Sequence, residues 1–480
     1  MEPIKEITPP IDYFTSSRVN YNLPSCRKFK HIETYEKEER KIGKGSYGSV
    51  ITTKTRIEGD PIVIKSVTAS EKDKGLKSSL IKETSILLTI DSPFAVKLYD
   101  FKIIKNKAEL YLPYGGRSLH TIIEKSKFTE SKFKPFLYDC FIFLASIATR
   151  GIIHGDIKPT NILVDVKTPL FIDFGGTQQT TFLPNGLLKK VSVAISTPLY
   201  LAPEGWNKKS KFINDKTDVW ALGCVWIEAL IGFNDSEKIL LKILKGDTRN
   251  LDNILSEKGL ALALDIFNPN PEKRISARQA VYHPYFAEIA KSFKFPPPLV
   301  ALKEREFKLN EEFDSRIDVE RYRLLIEMLR DCQIQNYTNR TYFLGAKLFD
   351  IILYNNFSPT LINSTCCLIL AAKFNNEFRF NFENSINDDI DLIDLYETER
   401  ILYNSLCFNV NYSTPYDHLL LRDRMDLLPL LKISVIIGSG YKYDDRELVD
   451  RIIRKSVKKE VQNLINDEYA QPYLEIKLRD

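Results

Sequence analysis

A glycine-rich stretch has the residue types and spacing to bind phosphates. "KIGKGSYGSV" (41–50) places Gly43, Gly45 and Gly48 in a G-x-G-x-x-G pattern, which a dinucleotide site can also carry. A dinucleotide site would have a helix directly after the glycines, whereas here "SVITTKT" continues as a β-branched strand. The pattern therefore predicts a hairpin whose tip, without Cβ atoms, lets the backbone lie over phosphates.

One lysine and one glutamate could complete this phosphate site. The strand pattern "PIVIKSV" (61–67) projects Lys65, which on an ordinary surface strand would face solvent. Beside a glycine hairpin it is a candidate for binding the α- and β-phosphates. A lysine in this role needs an anion to hold it, and Glu83 is the obvious candidate. Glu83 lies in the helical pattern of residues 77–88, whose simpler interpretation is an ordinary amphipathic helix.

Two later stretches add more polar groups, and with them a family resemblance appears. "GIIHGDIKPTNILVD" and "LFIDFGG" stand in the order seen in eukaryotic protein kinases, which the chain resembles over residues 37–290. Several short motifs at the right intervals carry this resemblance, and it implies a bilobal α+β kinase fold. The matching residues are Gly43, Gly45, Gly48, Lys65, Glu83, Asp156, Lys158, Asn161, Asp173, Phe174, Gly175, Ala202, Pro203, Glu204, Asp218 and Arg274.

The resemblance implies a role for each polar residue and implies ATP and Mg²⁺ as cofactors. Asp156 would accept the proton of the substrate hydroxyl, and Lys158 would steady the γ-phosphate, which points to serine/threonine substrates. Asn161 and Asp173 would hold Mg²⁺, and Lys65 paired with Glu83 would hold ATP. The remaining predicted nucleotide contacts are Ile42, the three glycines, Val50 and, in the hinge "LPYGG" (112–116), Pro113 and Gly115.

The helix predicted at residues 77–88 carries a finer resemblance. "SSLIKE" matches the S-T-A-I-R-E core of the helix by which cyclin-dependent kinases bind cyclin, with Leu80 for alanine and Lys82 for arginine. "GKGSYG" is similar to the glycine loop of the same subfamily. In that subfamily a cyclin pushes this helix into position, and Ile81 would be the apolar residue that enters the partner.

The predicted partner is on the same chain. Beyond the proline run "FPPPL", the patterns "TYFLGAKLFDIILYNN" and "LINSTCCLILAAKFNNEF" by themselves predict only a helical bundle. Their residues resemble the cyclin box over about 316–420, with the first-helix arginine at Arg321 or Arg323. The resemblance implies that Lys373 and Glu399 are the pair presented to the kinase.

The sequence thus predicts four segments. These are an N-terminal extension (1–36), a kinase domain (37–290), a linker (291–315) and an all-α cyclin-like domain (316–480). If extended, residues 287–316 could span up to about 100 Å, which is enough to bring the cyclin-like domain to the small lobe.

These segments predict a serine/threonine protein kinase that is activated when its own cyclin-like domain docks on the helix at 77–88. The docking partner could be the same chain or a second copy. Two alternatives remain open. In one, the chain is a kinase-fold scaffold, a pseudokinase whose helical half binds a partner. In the other, a separate cyclin activates the kinase and the C-terminal helices are unrelated.

The activation loop departs from the resembled family. Counting back from the Ala-Pro-Glu motif puts Ser192 where that family carries a phosphorylated threonine clamped by three arginines. The three arginine positions hold Lys82, Gly155 and Gln178, so no guanidinium fork is left to grip a phosphate. We therefore expect activity that does not depend on phosphorylation of Ser192.

Composition bounds the surroundings in which the protein works. A net charge of +5 over 480 residues is mild and argues for neither direct nucleic-acid nor membrane binding. The seven cysteines are odd in number and form no C-x-x-C pair, which favours free thiols in a reducing compartment, the cytoplasm or nucleus. Plentiful asparagine and isoleucine suggest an A/T-rich genome, for which a protist or a large DNA virus, with a viral protein acting in its host cell, would fit.

Overall fold

The computed structural model divides into an N-terminal sheet, a mainly helical middle part and a set of C-terminal helices. The predicted N-terminal extension (1–36), the predicted linker (291–315) and the last residues (454–480) lie outside the residues that it describes. The described residues are 37–45, 48–57, 60–68, 76–90, 92–104, 107–165, 168–183, 185, 187–192, 197–206, 212–290, 318–375, 377–378, 390–428, 431–432, 435 and 445–453.

An antiparallel sheet of five strands forms the first part. Its spatial order is β1-β2-β3-β5-β4, and Gly45 pairs with Gly48 at the tip of the first hairpin, as the sequence predicts. Alternation along β3 sends Ile62 and Ile64 to one face and Val63 to the other, where it joins the main core. The strands are β1 Lys37–Gly45, β2 Gly48–Ile57, β3 Asp60–Thr68, β4 Asp100–Ile104 and β5 Lys107–Pro113.

Helix α1 (Ser78–Thr89) is the helix of the small lobe, and it lies beside this sheet. It buries a broad face that includes Leu80, Ile81 and Ile86. Its first turn has neither a side-chain cap nor an acidic residue of its own. A helix start without these groups leaves backbone N–H donors for other parts of the structure to satisfy.

The middle part is built around two long buried helices, α3 and α4, whose aromatic residues include Phe141, Phe143, Trp220 and Trp226. Asn214 and Thr217 form a capping box that begins α4. Short strands carry the loops between the helices. The elements are β6 Arg117–Ser118, α2 Leu119–Ile123, α3 Glu130–Ala148, β7 Ile152–Ile153, β8 Ile162–Asp165, β9 Thr168–Phe171, β10 Gln178–Gln179, β11 Val191–Ser192, β12 Phe212–Ile213, α4 Asp215–Ile231, α5 Phe233–Leu244, α6 Glu257–Ile266 and α7 Ala277–Val281.

The C-terminal helices form the third part, which we call the C-terminal unit (described residues 318–453). Its central helix, α10, is buried along almost its whole length, and α9 and α11 pack against it. The helices expected here from the apolar patterns are present. They are α8 Asp318–Ile334, α9 Asn339–Tyr354, α10 Leu361–Phe374, α11 Leu392–Ser405, α12 Pro415–Leu421 and α13 Asp445–Ile453.

The cysteines agree only in part with the expectation of free thiols. Cys140, Cys224, Cys332, Cys366 and Cys367 are free and buried. Cys407 is disulfide-bonded, so the expectation was wrong at this position. Among the helices of the described ranges, none combines the length and the apolar character that crossing a membrane requires.

Candidate active site

Lys65 lies at the centre of a buried cluster of three charged side chains. Its Nζ donates to Glu83 Oε1 at 2.6 Å and Oε2 at 2.8 Å, and to Asp173 Oδ1 at 2.9 Å. Burial opposes the charge on Lys65, but the two carboxylates outweigh it and hold the pKa of the ammonium above its ordinary value. The contact between Lys65 and Glu83 expected from the sequence is therefore present, and α1 is the element that delivers the glutamate.

Asp173 reaches this cluster through an unusual backbone conformation. Its φ of 63° is in the left-handed region, where residues with a Cβ are strained. The next residue, Phe174, is buried with its ring 5.1 Å from that of His154 and anchors the turn. Burial would raise the pKa of Asp173, but Lys65 lowers it below the ordinary value, so the carboxylate is charged.

Asp156 is held by three polar neighbours in the loop after β7. Lys158 Nζ lies 2.7 Å from Asp156 Oδ2, and Asn161 Nδ2 donates to the same oxygen at 3.0 Å. Thr197 Oγ1 donates to Asp156 Oδ1 at 2.9 Å and accepts from Lys158 Nζ at 2.9 Å. The carboxylate is thereby fixed in one orientation while it stays partly exposed, as a group that must meet a substrate requires.

Asp218 on α4 holds the backbone of this loop by hydrogen bonds. Its two carboxylate oxygens accept from the backbone N–H groups of His154, at 2.7 Å, and Gly155, at 2.8 Å. Gly155 has a φ of 78°, a conformation for which glycine is suited. Burial raises the pKa of Asp218 to about 7, although these two hydrogen bonds oppose the shift. Asp218 thus positions the loop without reaching the place where a substrate would bind.

The predicted hinge follows β5 and passes close to an apolar floor. Pro113 ends β5, and the N–H of Tyr114 donates to Pro61 O at 2.8 Å. A Cβ added to Gly115 would come within 2.5 Å of the Leu170 side chain and 2.8 Å of the Leu163 side chain, so a larger residue here would have to displace these side-chain ends. Across the sheet, Val50 pairs with Gly43 and with Lys65. The side chain of Ile42, a predicted nucleotide contact, lies outside the part of the chain that the structure describes.

The groups around Asp156 and Asp173 fit a hard divalent cation. Asn161 uses its amide nitrogen in bonds to Asp156 O and Oδ2, so its Oδ1 oxygen is the atom left for a metal. Asp173 supplies a charged carboxylate, and Mg²⁺ prefers such oxygen ligands in small number. The described residues contain no group of three or more His, Cys, Asp and Glu side chains that could hold a metal by themselves. The residues therefore suit a cation that shares its coordination with phosphates.

Two residues near the site were not singled out from the sequence. Thr197, which touches both Asp156 and Lys158, lies five residues before Ala202, and this fixed distance from the Ala-Pro-Glu motif is the signal that could have found it. Leu163, close to the hinge glycine, is the second residue after Asn161 and its side chain alternates with that of the buried Ile162. Neither has a charged side chain, so neither attracts attention in a search for chemistry.

The start of α1 contacts the C-terminal unit through two buried charged residues. Lys373 Nζ lies 2.5 Å from Glu399 Oε1, and both side chains are almost fully buried. The other carboxylate oxygen, Glu399 Oε2, accepts from the backbone N–H of Leu76 at 2.9 Å. Glu399 thus places a negative charge and an acceptor at the end of α1 that lacks a cap of its own.

The middle and end of α1 are also covered by the C-terminal unit. Tyr403 Oη lies 3.3 Å from the carbonyl of Ile81 and also contacts the hydroxyl of Thr84. Ser85 Oγ donates to Phe408 O at 3.3 Å and accepts from the N–H of Val410 at 3.1 Å. Ile81 is completely buried. The two parts of the chain therefore meet along the length of α1.

Inside the C-terminal unit, the structure separates the two arginines that the sequence left open. Arg321 is buried and makes a bidentate pair with Asp350, at 2.7 and 3.0 Å. Arg323 is about half exposed and lies 2.5 Å from Glu320 on its own helix. Arg321 is thus the arginine that ties α8 to α9.

Comparison with known proteins agrees with this geometry. A family model described as the protein kinase domain matches residues 35–286, which is more than half of the chain. The chain belongs to the protein kinase family. Such a domain uses ATP as a substrate with Mg²⁺ as cofactor.

Similar curated proteins include other protein kinases. The "CBL-interacting serine/threonine-protein kinase 14" of Arabidopsis thaliana is 28% identical over 256 residues, covering 52% of this chain and 57% of that protein. The "Calcium-dependent protein kinase 5" of Plasmodium berghei is 31% identical over 290 residues, covering 57% of this chain and 50% of that protein. The protein of the same name from Plasmodium falciparum is 28% identical over 291 residues, or 57% of this chain and 49% of that protein. This protein kinase thus spans about half the length of these relatives.

Proposed function

We propose that this protein kinase is an active enzyme that transfers the γ-phosphate of ATP to serine or threonine residues of protein substrates. The observation that carries the proposal is a pair of polar clusters, one between α1, Lys65 and Asp173 and the other in the loop after β7. Lys65 is held between Glu83 and Asp173, and Asp156 is held by Lys158 and Asn161. A kinase-fold scaffold would have no need to keep every one of these contacts.

The geometry indicates how the residues would share the work. The hairpin of β1 and β2 would cover the phosphates, and Lys65, kept charged by Glu83, would bind the α- and β-phosphates. Mg²⁺ held by Asn161 and Asp173 would neutralise charge on the phosphates. Asp156 would accept the proton of the substrate hydroxyl as its oxygen attacks phosphorus, because it is the partly exposed carboxylate in this loop.

The contacts of Lys158 support serine/threonine specificity. Its ammonium lies between Asp156 and Thr197, so one positive charge would face both the base and the incoming γ-phosphate. The hydroxyl of Thr197 keeps Asp156 and Lys158 in register. Since the resembled serine/threonine kinases carry a lysine at this position, we expect a serine or threonine hydroxyl to be the nucleophile.

We also propose that the C-terminal unit is a cyclin-like domain that activates the kinase from within the chain. The support is the position of the predicted residues. Glu399, paired with Lys373, accepts from the N–H of Leu76 at the start of α1, while Ile81 is buried where the two parts meet. By holding α1, the C-terminal unit would hold Glu83 against Lys65. The buried pair of Arg321 with Asp350 would keep α8 and α9 together beneath this surface.

A phosphotransfer assay on the purified full chain tests the proposal. We expect phosphate from Mg-ATP to enter serine- and threonine-containing peptides and not tyrosine-only peptides. Asp156→Asn should lower the rate by about 10²–10⁴-fold, the usual contribution of a general base. Asp252→Asn, which changes an exposed aspartate in the same way, should leave it unchanged. An inactive wild-type chain that still binds ATP would instead support the scaffold alternative.

The docking proposal has a separate test. Glu399→Ala should lower kinase activity about tenfold or more, because the start of α1 loses its acceptor and Lys373 loses its counter-charge. Glu397→Ala removes an exposed glutamate from the same helix and should have no effect. If instead an added cyclin restored full activity to the Glu399 variant or was needed by the wild type, a separate activator would be the better explanation.

A further inference from the structure

The C-terminal unit touches a second part of the kinase domain besides α1. Asn411 is almost fully buried, and its Nδ2 donates to Thr89 Oγ1 at the end of α1 and to Gln179 Oε1 in β10, both at 3.0 Å. Gln179 lies only six residues beyond Asp173, in the segment that leads toward Ser192. One side chain of the C-terminal unit therefore joins α1 to the activation segment.

The orientation of the Gln179 amide is fixed by its surroundings. Its Nε2 lies within hydrogen-bond distance of three carbonyl oxygens, which share its two N–H groups: those of Arg150, Gly151 and Thr180, at 3.0, 2.9 and 3.1 Å. An amide nitrogen surrounded by carbonyl oxygens must turn its own oxygen the other way, where it needs a donor. Asn411 supplies that donor. The contact is thus one that the local chemistry requires.

Gln179 is connected directly to the loop that carries Asp156. It pairs with Ile152 in the two-stranded sheet of β10 and β7, and β7 leads straight into His154. The backbone N–H of Thr180 extends this ladder with a bond to Gly151 O at 2.7 Å. A displacement of Gln179 would therefore displace the strand from which the catalytic loop starts.

A second contact holds the same segment by apolar packing. Phe182 and Leu188 pair through an antiparallel bridge, and both are buried with Ile153. Leu421, from the end of α12 in the C-terminal unit, packs against this small cluster. The activation segment is thus held on one side by an amide and on the other by an apolar side chain of the same unit.

We propose that Asn411 is a positioning residue that holds the activation segment in its working conformation by neutral hydrogen bonds. In this role it would take the place of a phosphate gripped by arginines, for which Lys82, Gly155 and Gln178 leave no guanidinium groups. This inference rests on the proposed kinase function. The additional claim is that docking of the C-terminal unit orders the activation segment as well as α1. One docking event would then position both elements.

Hydrogen exchange on the full chain gives a readout that does not need activity. Asn411→Asp keeps the size of the side chain but cannot donate to Gln179 or Thr89. We expect the backbone amides of Thr180, Leu183 and Lys189 to exchange about tenfold faster in this variant. The matched control is Asn404→Asp, which adds the same charge at an exposed position of α11 and should change none of these rates.

Kinetics should show a matching split. Asn411 does not touch the contact between Lys65 and Glu83, so the affinity for ATP should stay within about twofold in Asn411→Asp while kcat falls about tenfold. Because partial unfolding would also lower the apparent kcat, the rate is divided by the folded fraction of each variant, measured by titration with nucleotide. Phosphatase treatment of the wild type should leave kcat unchanged. An equal exchange rate in the Asn411 and Asn404 variants, or a wild type that phosphatase inactivates, would overturn the inference.

A second variant keeps the test decisive if Asn411→Asp fails to fold. Gln179→Leu removes the same bond from the kinase side, and it should accelerate exchange of the same three amides. The double variant should exchange no faster than the more affected single variant, because both changes break one contact. Additive effects would contradict the inference. If the wild type transfers no phosphate at all, the proposed function fails, yet the exchange rates still decide whether Asn411 orders the segment.

Discussion

At the scale of single residues, Thr197 lies between the two groups that would handle the transferred phosphate. Its hydroxyl donates to Asp156 and accepts from Lys158. We expect Thr197→Val, which keeps the shape but removes both bonds, to lower kcat about ten- to a hundredfold. Thr197→Ser keeps the hydroxyl and should retain most of the activity. Steady-state kinetics with a serine peptide would check this, and equal rates for the two variants would exclude the role.

Lys82 is a residue whose effect should appear in stability. It is only 3% exposed, and burial lowers its pKa from 10.5 to about 7. The unfolded chain keeps the proton up to about pH 10.5, whereas the folded chain releases it near pH 7. Because the unfolded state binds more protons between these values, the stability contributed at this site rises with pH over that interval.

The corresponding variant is Lys82→Met, which keeps a long side chain without the charge. It should raise the free energy of unfolding at pH 7 by on the order of a few kcal/mol, and the gain should shrink toward pH 10. Chemical denaturation at pH 7 and pH 9.5 would measure both values. Lys125→Met, at an exposed position, serves as the control. A gain that is constant with pH would show that charge is not the cause.

At the scale of elements, α1 connects the candidate site to the C-terminal unit. Ile81 is completely buried where α1 meets the C-terminal unit, while Glu83 points to Lys65. We expect Ile81→Asp to abolish measurable activity, because a buried carboxylate without a partner would force the two parts to separate. Leu260→Asp changes a half-buried residue of α6, away from α1, and should be far milder. The readout is phosphotransfer by the full chain, with circular dichroism to show that each variant is folded.

The sequence could predict the elements that carry local signals. Gly45 and Gly48 pair at a hairpin tip and Glu83 contacts Lys65, as their short motifs predict, whereas the contact of Lys65 with Asp173 was not predicted. The helices of the C-terminal unit follow from apolar patterns of helical period. These features depend on residues close in sequence, which is why a single chain is enough to predict them.

The contacts between elements were beyond such reasoning. Asn411 and Gln179 are 232 residues apart, and Thr84 and Tyr403 are 319 apart. An asparagine in a turn after a helix is usually explained by the turn itself, and Asn411 does donate its N–H to Asn409 Oδ1. Only the packing of one unit on the other shows that its side chain has a second use.

At the scale of the whole molecule, the contacts with α1 lie within one chain. A tethered partner has an effective concentration of the order of mM for a flexible linker, far above the protein concentration in an assay. We therefore expect the specific activity to stay constant when the protein is diluted from about 1 μM to about 1 nM. Activity that falls on dilution would show that docking occurs between two copies. Light scattering at the higher concentration would show whether such a dimer exists.

The missing cap of α1 has a consequence for how small molecules could act on this protein. Because Glu399 holds the backbone just before the helix that carries Glu83, we expect occupancy of the nucleotide pocket and attachment of the C-terminal helices to be linked, and such linkage is reciprocal. An inhibitor that fits the pocket with Glu83 turned inward would strengthen the attachment of the C-terminal unit to the kinase domain. An inhibitor that needs Glu83 turned outward would bind more weakly while the C-terminal unit is attached. The factor by which attachment weakens its binding equals the factor by which the inhibitor weakens attachment.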